Sequence, residues 1–114
     1  MHSTIQKACE EFSRGNIKLS CARLAEDVRW NMVGSKTVTG IEGVQQLCDE
    51  ASVHGYPVFT LTRVVSNADH VVIEGAGDSK GADGKDVDNR FCDIFRIEND
   101  KIVEITSYFI ASSR

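Results

Sequence analysis

Between Val87 and Ile97 the chain reads VDNRFCDIFRI, a pattern that a β-strand explains and a helix does not. With a period of two, Val87, Asn89, Phe91, Asp93, Phe95 and Ile97 share one face, and Asp88, Arg90, Cys92, Ile94 and Arg96 share the other. A slip of one residue would bury both arginines and expose both phenylalanines, so the facing of this strand is strongly specified. Phe91, Asp93 and Phe95 are expected to point inward, and Arg90, Cys92 and Arg96 outward. Asp93 is the misfit on the inner face. A carboxylate between two phenylalanines must find a partner, line a wet cavity or take up a proton.

The rest of the chain supplies the partners for this strand. Ile5, Ala8, Cys9 and Phe12 recur at helical spacing behind Ser3, a candidate cap, with Gln6 at the return position of a capping box. Gly15 ends that helix and Asn16 can cap a second, from Ile17 to about Ala25, with Ile17, Cys21 and Leu24 on one face. Val28–Val33 reads as a strand carrying Val28, Trp30 and Met32 on one side, and Gly34–Gly40 as a loop or bend. A third helix begins near Glu42, with Val44, Leu47, Cys48 and Ala51 on its apolar stripe, and Gly55 and Pro57 break it. Four β-rich runs follow: Val58–Ser66, His70–Gly77, the focal strand, and Ile102–Ile110, with a turn at Glu98–Lys101. The segment from Asp78 to Asp86 is too polar and glycine-rich to pack and reads as a loop. Helices run together and strands run together, which predicts an α+β fold with a four-strand antiparallel meander.

A chain of 114 residues is one domain, 1–114, long enough to bury a core without staples. Its net charge of -4 comes with no basic stripe, so nucleic acid is not an expected partner. No segment approaches the ~20 apolar residues of a membrane span, and MHSTIQKACEEF has no signal-peptide pattern, so a cytoplasmic location is expected. The four cysteines (Cys9, Cys21, Cys48 and Cys92) form no C-x-x-C pair and do not combine with His2, His54 and His70 at ligand spacing. Cys9 and Cys48 sit on apolar helical stripes, as buried reduced thiols do. Neither a metal nor a cofactor is expected. The acidic residues around Asp78–Asp88 do not have the spacing of a calcium loop.

Several motifs together resemble a known family. A short helix is followed by Gly15-Asn16, then by a second helix closing on Leu24-Ala25-Glu26-Asp27-Val28. Trp30 and Gly40 precede helix three, Phe95-Arg96-Ile97 precedes a turn, and Lys101-Ile102-Val103-Glu104 precedes Tyr108. From about Ile5 to Ile110 this order is similar to the nuclear transport factor 2-like superfamily, in its SnoaL-like polyketide-cyclase and ketosteroid-isomerase-like branch. The resemblance implies a cone-shaped, curved sheet wrapped around N-terminal helices, an apolar pocket, and a homodimer through the outer sheet face. Asp93 matches the isomerase's oxyanion-side aspartic acid. The general-base position falls on Asn31, the phenolic donor on Ala8 and its supporting tyrosine on Cys48, so steroid isomerisation is not implied. The last aspartate of limonene epoxide hydrolase falls on Ser107, and a terminal aspartate of the family on Ile110.

These readings define a candidate site. Asp93 is the candidate catalytic acid, and the competing reading makes it a structural carboxylate held by amides, an arginine or water. Trp30 is a substrate platform or a core aromatic; Asn31 holds a ligand carbonyl or faces solvent. Met32, Cys48, Tyr56, Phe59 and Phe91 are candidate pocket walls, with His54 near the mouth. Ser107, on the Val103–Ile105–Ser107–Phe109 stripe, enters the same cavity or is satisfied by a neighbouring carbonyl. The expected partner is a small apolar ligand or substrate, taken either by a cofactor-independent isomerase, cyclase or hydratase or by a non-catalytic binding or structural dimer. Ile102, Thr106, Tyr108 and Ile110, with Ile94 beside them, form the apolar outer strip expected at the dimer contact.

Overall fold

The computed structural model describes residues 4–53, 58–80 and 83–113. Ser3, His54 and Tyr56, each singled out above, lie outside the described residues. Helix α1 (Thr4–Arg14) buries Ile5, Ala8, Cys9 and Phe12, and also Gln6 and Ser13. Gly15, at φ 95°, stops it. The Gly15 and Asn16 amides donate to the carbonyls of Phe12 and Glu11 at 3.0 and 2.9 Å, the paired bonds of a Schellman end. Asn16 does not cap the next helix with its side chain. Its amide instead donates to Glu11 Oε2 at 2.8 Å, tying it back to α1.

Helix α2 (Ile17–Ser20) and the 3-10 turn Cys21–Arg23 end sooner than helical spacing predicts. Leu24 is already extended and opens strand β1 (Leu24–Met32), where it pairs with Ile102 of the last strand. A register shift between Leu24 and Arg29 hides this early start, because it interrupts the alternation a strand would otherwise show. The segment read as a bend contains a short strand, β2 (Thr37–Thr39), paired antiparallel with β1. Helix α3 (Ile41–Val53) packs on β1 and β2, with Val44 and Cys48 buried.

Strands β3 (Val58–Ser66), β4 (His70–Lys80), β5 (Asp86–Glu98) and β6 (Lys101–Ser113) form the expected meander. The β4–β5 hairpin runs further than expected, since Asp78, Ser79 and Lys80 pair with Asp88, Val87 and Asp86. Backbone pairing needs no apolar face, so the ribbon continues through residues read as loop. Asn99 and Asp100, at φ 50° and 61°, make the two-residue turn between β5 and β6.

The sheet order is β2-β1-β6-β5-β4-β3, and the sheet curves without closing. It is not wholly antiparallel, because β1 joins β6 in parallel. Helix α1 crosses the concave side, against β3, β4 and β6. Phe95, Ile73, Ile102, Ile105 and Val28, each fully buried, form the centre of the core beneath it. Ile102 is therefore a core residue and not part of the outer strip. Between the pairs Arg96–Glu104 and Ile97–Ile102 the last strand carries one extra residue, Val103. That bulge reverses the alternation and turns Ile102 inward.

Candidate active site

Asp93 lies on the inner face of β5, with Phe91 and Phe95, and its residue is 7% exposed. On β6 its cross-strand partner is Ser107, whose hydroxyl donates to Asp93 Oδ1 at 2.6 Å. From α1 the Ser13 hydroxyl reaches Oδ2 at 2.7 Å. Ser107 Oγ in turn accepts the Trp30 indole N–H at 2.8 Å from β1. Four elements thus place four side chains in one connected chain: Trp30, Ser107, Asp93, Ser13. No buried side-chain nitrogen or oxygen among the described residues is left without a partner.

Burial pushes the Asp93 carboxyl above the ordinary carboxylate range, and the hydrogen bonds from Ser107 and Ser13 only partly oppose it. Hydroxyl donors stabilise an anion less than a guanidinium would. Among the described residues lining the cavity, none carries a positive charge. The competing reading of a carboxylate held by an arginine has no support here.

The cavity in front of Asp93 has a volume of about 390 Å³, within the range of small-molecule sites. On one side Phe12 meets Trp30 and Phe95 edge-on, with ring centroids 5.0 and 5.7 Å apart. On the other, Phe59 meets Phe91 and Phe109 at 4.9 and 6.4 Å. Met32, Leu47 and Cys48 complete the apolar wall. The arrangement offers a flat or compact apolar molecule two aromatic walls and one polar point between them.

Of the residues singled out from sequence, Trp30, Met32, Cys48, Phe59, Phe91, Asp93 and Ser107 line this one cavity. Asn31 does not. Alternation along β1 turns it to the opposite face from Trp30 and Met32, where its Oδ1 accepts the Thr37 hydroxyl at 3.3 Å. Ser107 is satisfied by Asp93 and Trp30, and not by a neighbouring carbonyl. Ser13 was missed, although its position is legible: it continues the Ile5–Cys9 line one further helical turn. Phe109 follows from the Ser107 stripe in the same way. Among the described residues no group of His, Cys, Asp or Glu is placed to hold a metal ion, and no helix is long and apolar enough to cross a membrane.

A curved, open sheet folded over an N-terminal helix, with an acid at the base of an apolar cavity, defines an α+β cone of the nuclear transport factor 2-like kind. The chain belongs to the SnoaL-like domain family, which matches it over residues 5–105. It is similar to an NTF2-like protein of unknown function from Cytophaga hutchinsonii, with 33% identity and a TM-score of 0.88 over 94% of this chain and 96% of that one. A putative SnoaL-like polyketide cyclase from a Jannaschia species shares the fold at 16% identity and a TM-score of 0.74, over 93% and 85% of the two chains. An LEH-like epoxide hydrolase from M. tuberculosis does so at 19% identity and a TM-score of 0.71, over 94% and 83%. No curated protein matches the sequence.

Proposed function

We propose that the protein takes a small, largely apolar molecule bearing a carbonyl oxygen and acts on it as a cofactor-independent isomerase, cyclase or hydratase, with Asp93 as the acid. The observation that carries this reading is a buried carboxyl, raised above its ordinary range by desolvation, at the only acidic point of an aromatic cavity among the described lining residues. A raised carboxyl pKa favours the protonated form, and a protonated carboxyl can donate a hydrogen bond or a proton that a carboxylate cannot. The fold neighbours, which include a putative polyketide cyclase and an epoxide hydrolase, support small-molecule chemistry in this scaffold. Trp30, Met32, Cys48, Phe59 and Phe91 shape the space, and Ser107 holds the acid.

A specific observation favours a second reading, ligand binding without turnover. Asp93 has no second carboxyl beside it among the described lining residues, and the base position of the isomerases is occupied by Asn31, which faces away. A compound library scanned by thermal shift finds the ligand under either reading, since a ligand at 100 times its Kd adds about 2.7 kcal/mol. Turnover of that ligand then separates the two. Under the first reading Asp93→Asn binds it and slows its conversion by roughly 10²–10⁴-fold. Equal rates for the two proteins would end the acid role, and binding with no conversion by either would leave the second reading.

We also infer a homodimer through the convex face of the sheet. With Ile102 removed to the core, the strip consists of Ile94 and Thr106, which are half-buried, and Tyr108 and Ile110, which are 47% and 64% exposed. Ile110 is a large, exposed apolar group that does not line the cavity, as a subunit contact would require, whereas Tyr108, expected on the outer strip alone, also borders the cavity.

A further inference from the structure

The hydrogen bonds around Asp93 have a direction, and the direction is set at Trp30. An indole N–H is a donor only, so Ser107 Oγ, at 2.8 Å, must accept from it. The Ser107 hydroxyl hydrogen is then committed to its other partner, Asp93 Oδ1, at 2.6 Å. In a neutral carboxyl group the carbonyl oxygen is the better acceptor, so Oδ1 takes that part and Oδ2 carries the proton. The partner of Oδ2 is Ser13 Oγ at 2.7 Å. The ionised carboxylate accepts from Ser13 here, but once Asp93 takes up a proton this bond reverses, Asp93 donates, and Ser13 is left with one hydroxyl hydrogen of its own to place. Ser13 lines the cavity. In an empty site a helical serine can return that hydrogen to its own helix backbone, and an acceptor oxygen in the cavity draws it out.

We propose that Ser13 is the residue that touches the ligand's oxygen, and that Trp30, Ser107 and Asp93 act through it by fixing which way its hydroxyl points. This rests on the reading of the cavity as a site for an apolar carbonyl compound and assigns the contact within it. Ser13 is the ligand-binding donor; Trp30 and Ser107 are positioning residues. The placement suits the cavity, because Phe12, Trp30, Phe59 and Phe91 line it together with Ser13 and offer aromatic surface to the groups flanking a carbonyl.

Benzophenone, two rings on a carbonyl, is the probe, and diphenylmethane is its counterpart without the oxygen. The infrared band of an isotope-labelled benzophenone carbonyl reports directly whether that oxygen accepts a hydrogen bond. Bound to the native protein, the band should lie below its position in hexane. In Ser13→Ala it should return towards the hexane position, with benzophenone bound about tenfold more weakly and diphenylmethane bound as before. Ser13→Thr, which keeps the hydroxyl, should restore the lower band. A band that stays low in Ser13→Ala would mean that Asp93 donates directly; it would overturn this proposal and leave the proposed function standing. Failure of the native protein to bind benzophenone, or a bound band at the hexane position, would overturn both. A loss in Ser13→Ala that Ser13→Thr does not restore would overturn the hydroxyl's role alone.

Discussion

Asp93 has two oxygens held by serines and is enclosed by aromatic rings, and its behaviour with pH follows from that environment. Its pKa in the folded protein is raised, so the native state keeps the proton where the unfolded chain has released it. Stability from this group is fully present below the unfolded value of about 3.9 and declines as pH rises through the window up to the raised folded value. Asn has the same shape, can accept from Ser107 and donate to Ser13, and does not ionise. Asp93→Asn should therefore fold normally, and its urea midpoint should gain on that of the native protein as pH rises through this window. A mutant less stable at pH 7, with the gap closing in acid, would show that Asp93 is a structural anion. Cys9 carries a second consequence of burial at this scale: desolvation, helped by the nearby Glu10 charge, pushes its thiol up to about 12. A thiol reagent at pH 8 should reach the half-buried Cys21 in the native protein, and Cys9 only after denaturation.

At the scale of elements, the pocket depends on how β4 lets β5 lie against it. Gly75 pairs with Phe91, and a Cβ built on Gly75 would stand 2.3 Å from the Phe91 ring and 3.0 Å from the Thr60 carbonyl. The ring of Phe91 occupies the space a side chain would fill. Gly75→Ala should cost roughly 1–3 kcal/mol of stability, the usual range for overpacking, because Phe91 must move and backbone blocks the other side. Urea unfolding measures this, and adding Phe91→Leu should recover part of the loss; a fully additive double mutant would show that the ring and the glycine are not coupled. The alternation that placed Phe91, Asp93 and Phe95 inside was legible from the sequence because one face is apolar and the register has no freedom. The breaks in alternation were not legible. Val103, the extra residue of a bulge, looks like any other member of an Ile-Val-Glu-Ile run, yet it sends Ile102 into the core. The early start of β1 at Leu24 and the three residues of β2 depend on partners far along the chain, which local propensity does not contain. In the site, the aromatic walls and Asp93 were legible from periodicity. The Ser13 contact was not, because it links residues 80 positions apart.

For the whole molecule, the proposed dimer predicts a sedimentation mass twice that of the 12.6 kDa chain at micromolar concentration. Ile110→Glu, which puts a charge in the exposed strip, should shift that mass towards the monomer without changing the helix and sheet signals in circular dichroism. A native protein that sediments as a monomer would remove the dimer. The parallel pairing of β1 with β6 has a consequence for how the chain assembles. The β4, β5 and β6 strands pair with near neighbours in sequence, whereas Trp30 reaches Ser107 across 77 positions and Ser13 reaches Asp93 across 80. Closing such large loops is entropically costly and waits on the local pairings. The meander should form first, with α1 and β1 docking onto it late. The acid therefore enters the chain's history solvated and ordinary, and acquires its altered chemistry only in the last cooperative step, when the two N-terminal elements arrive and shut out water.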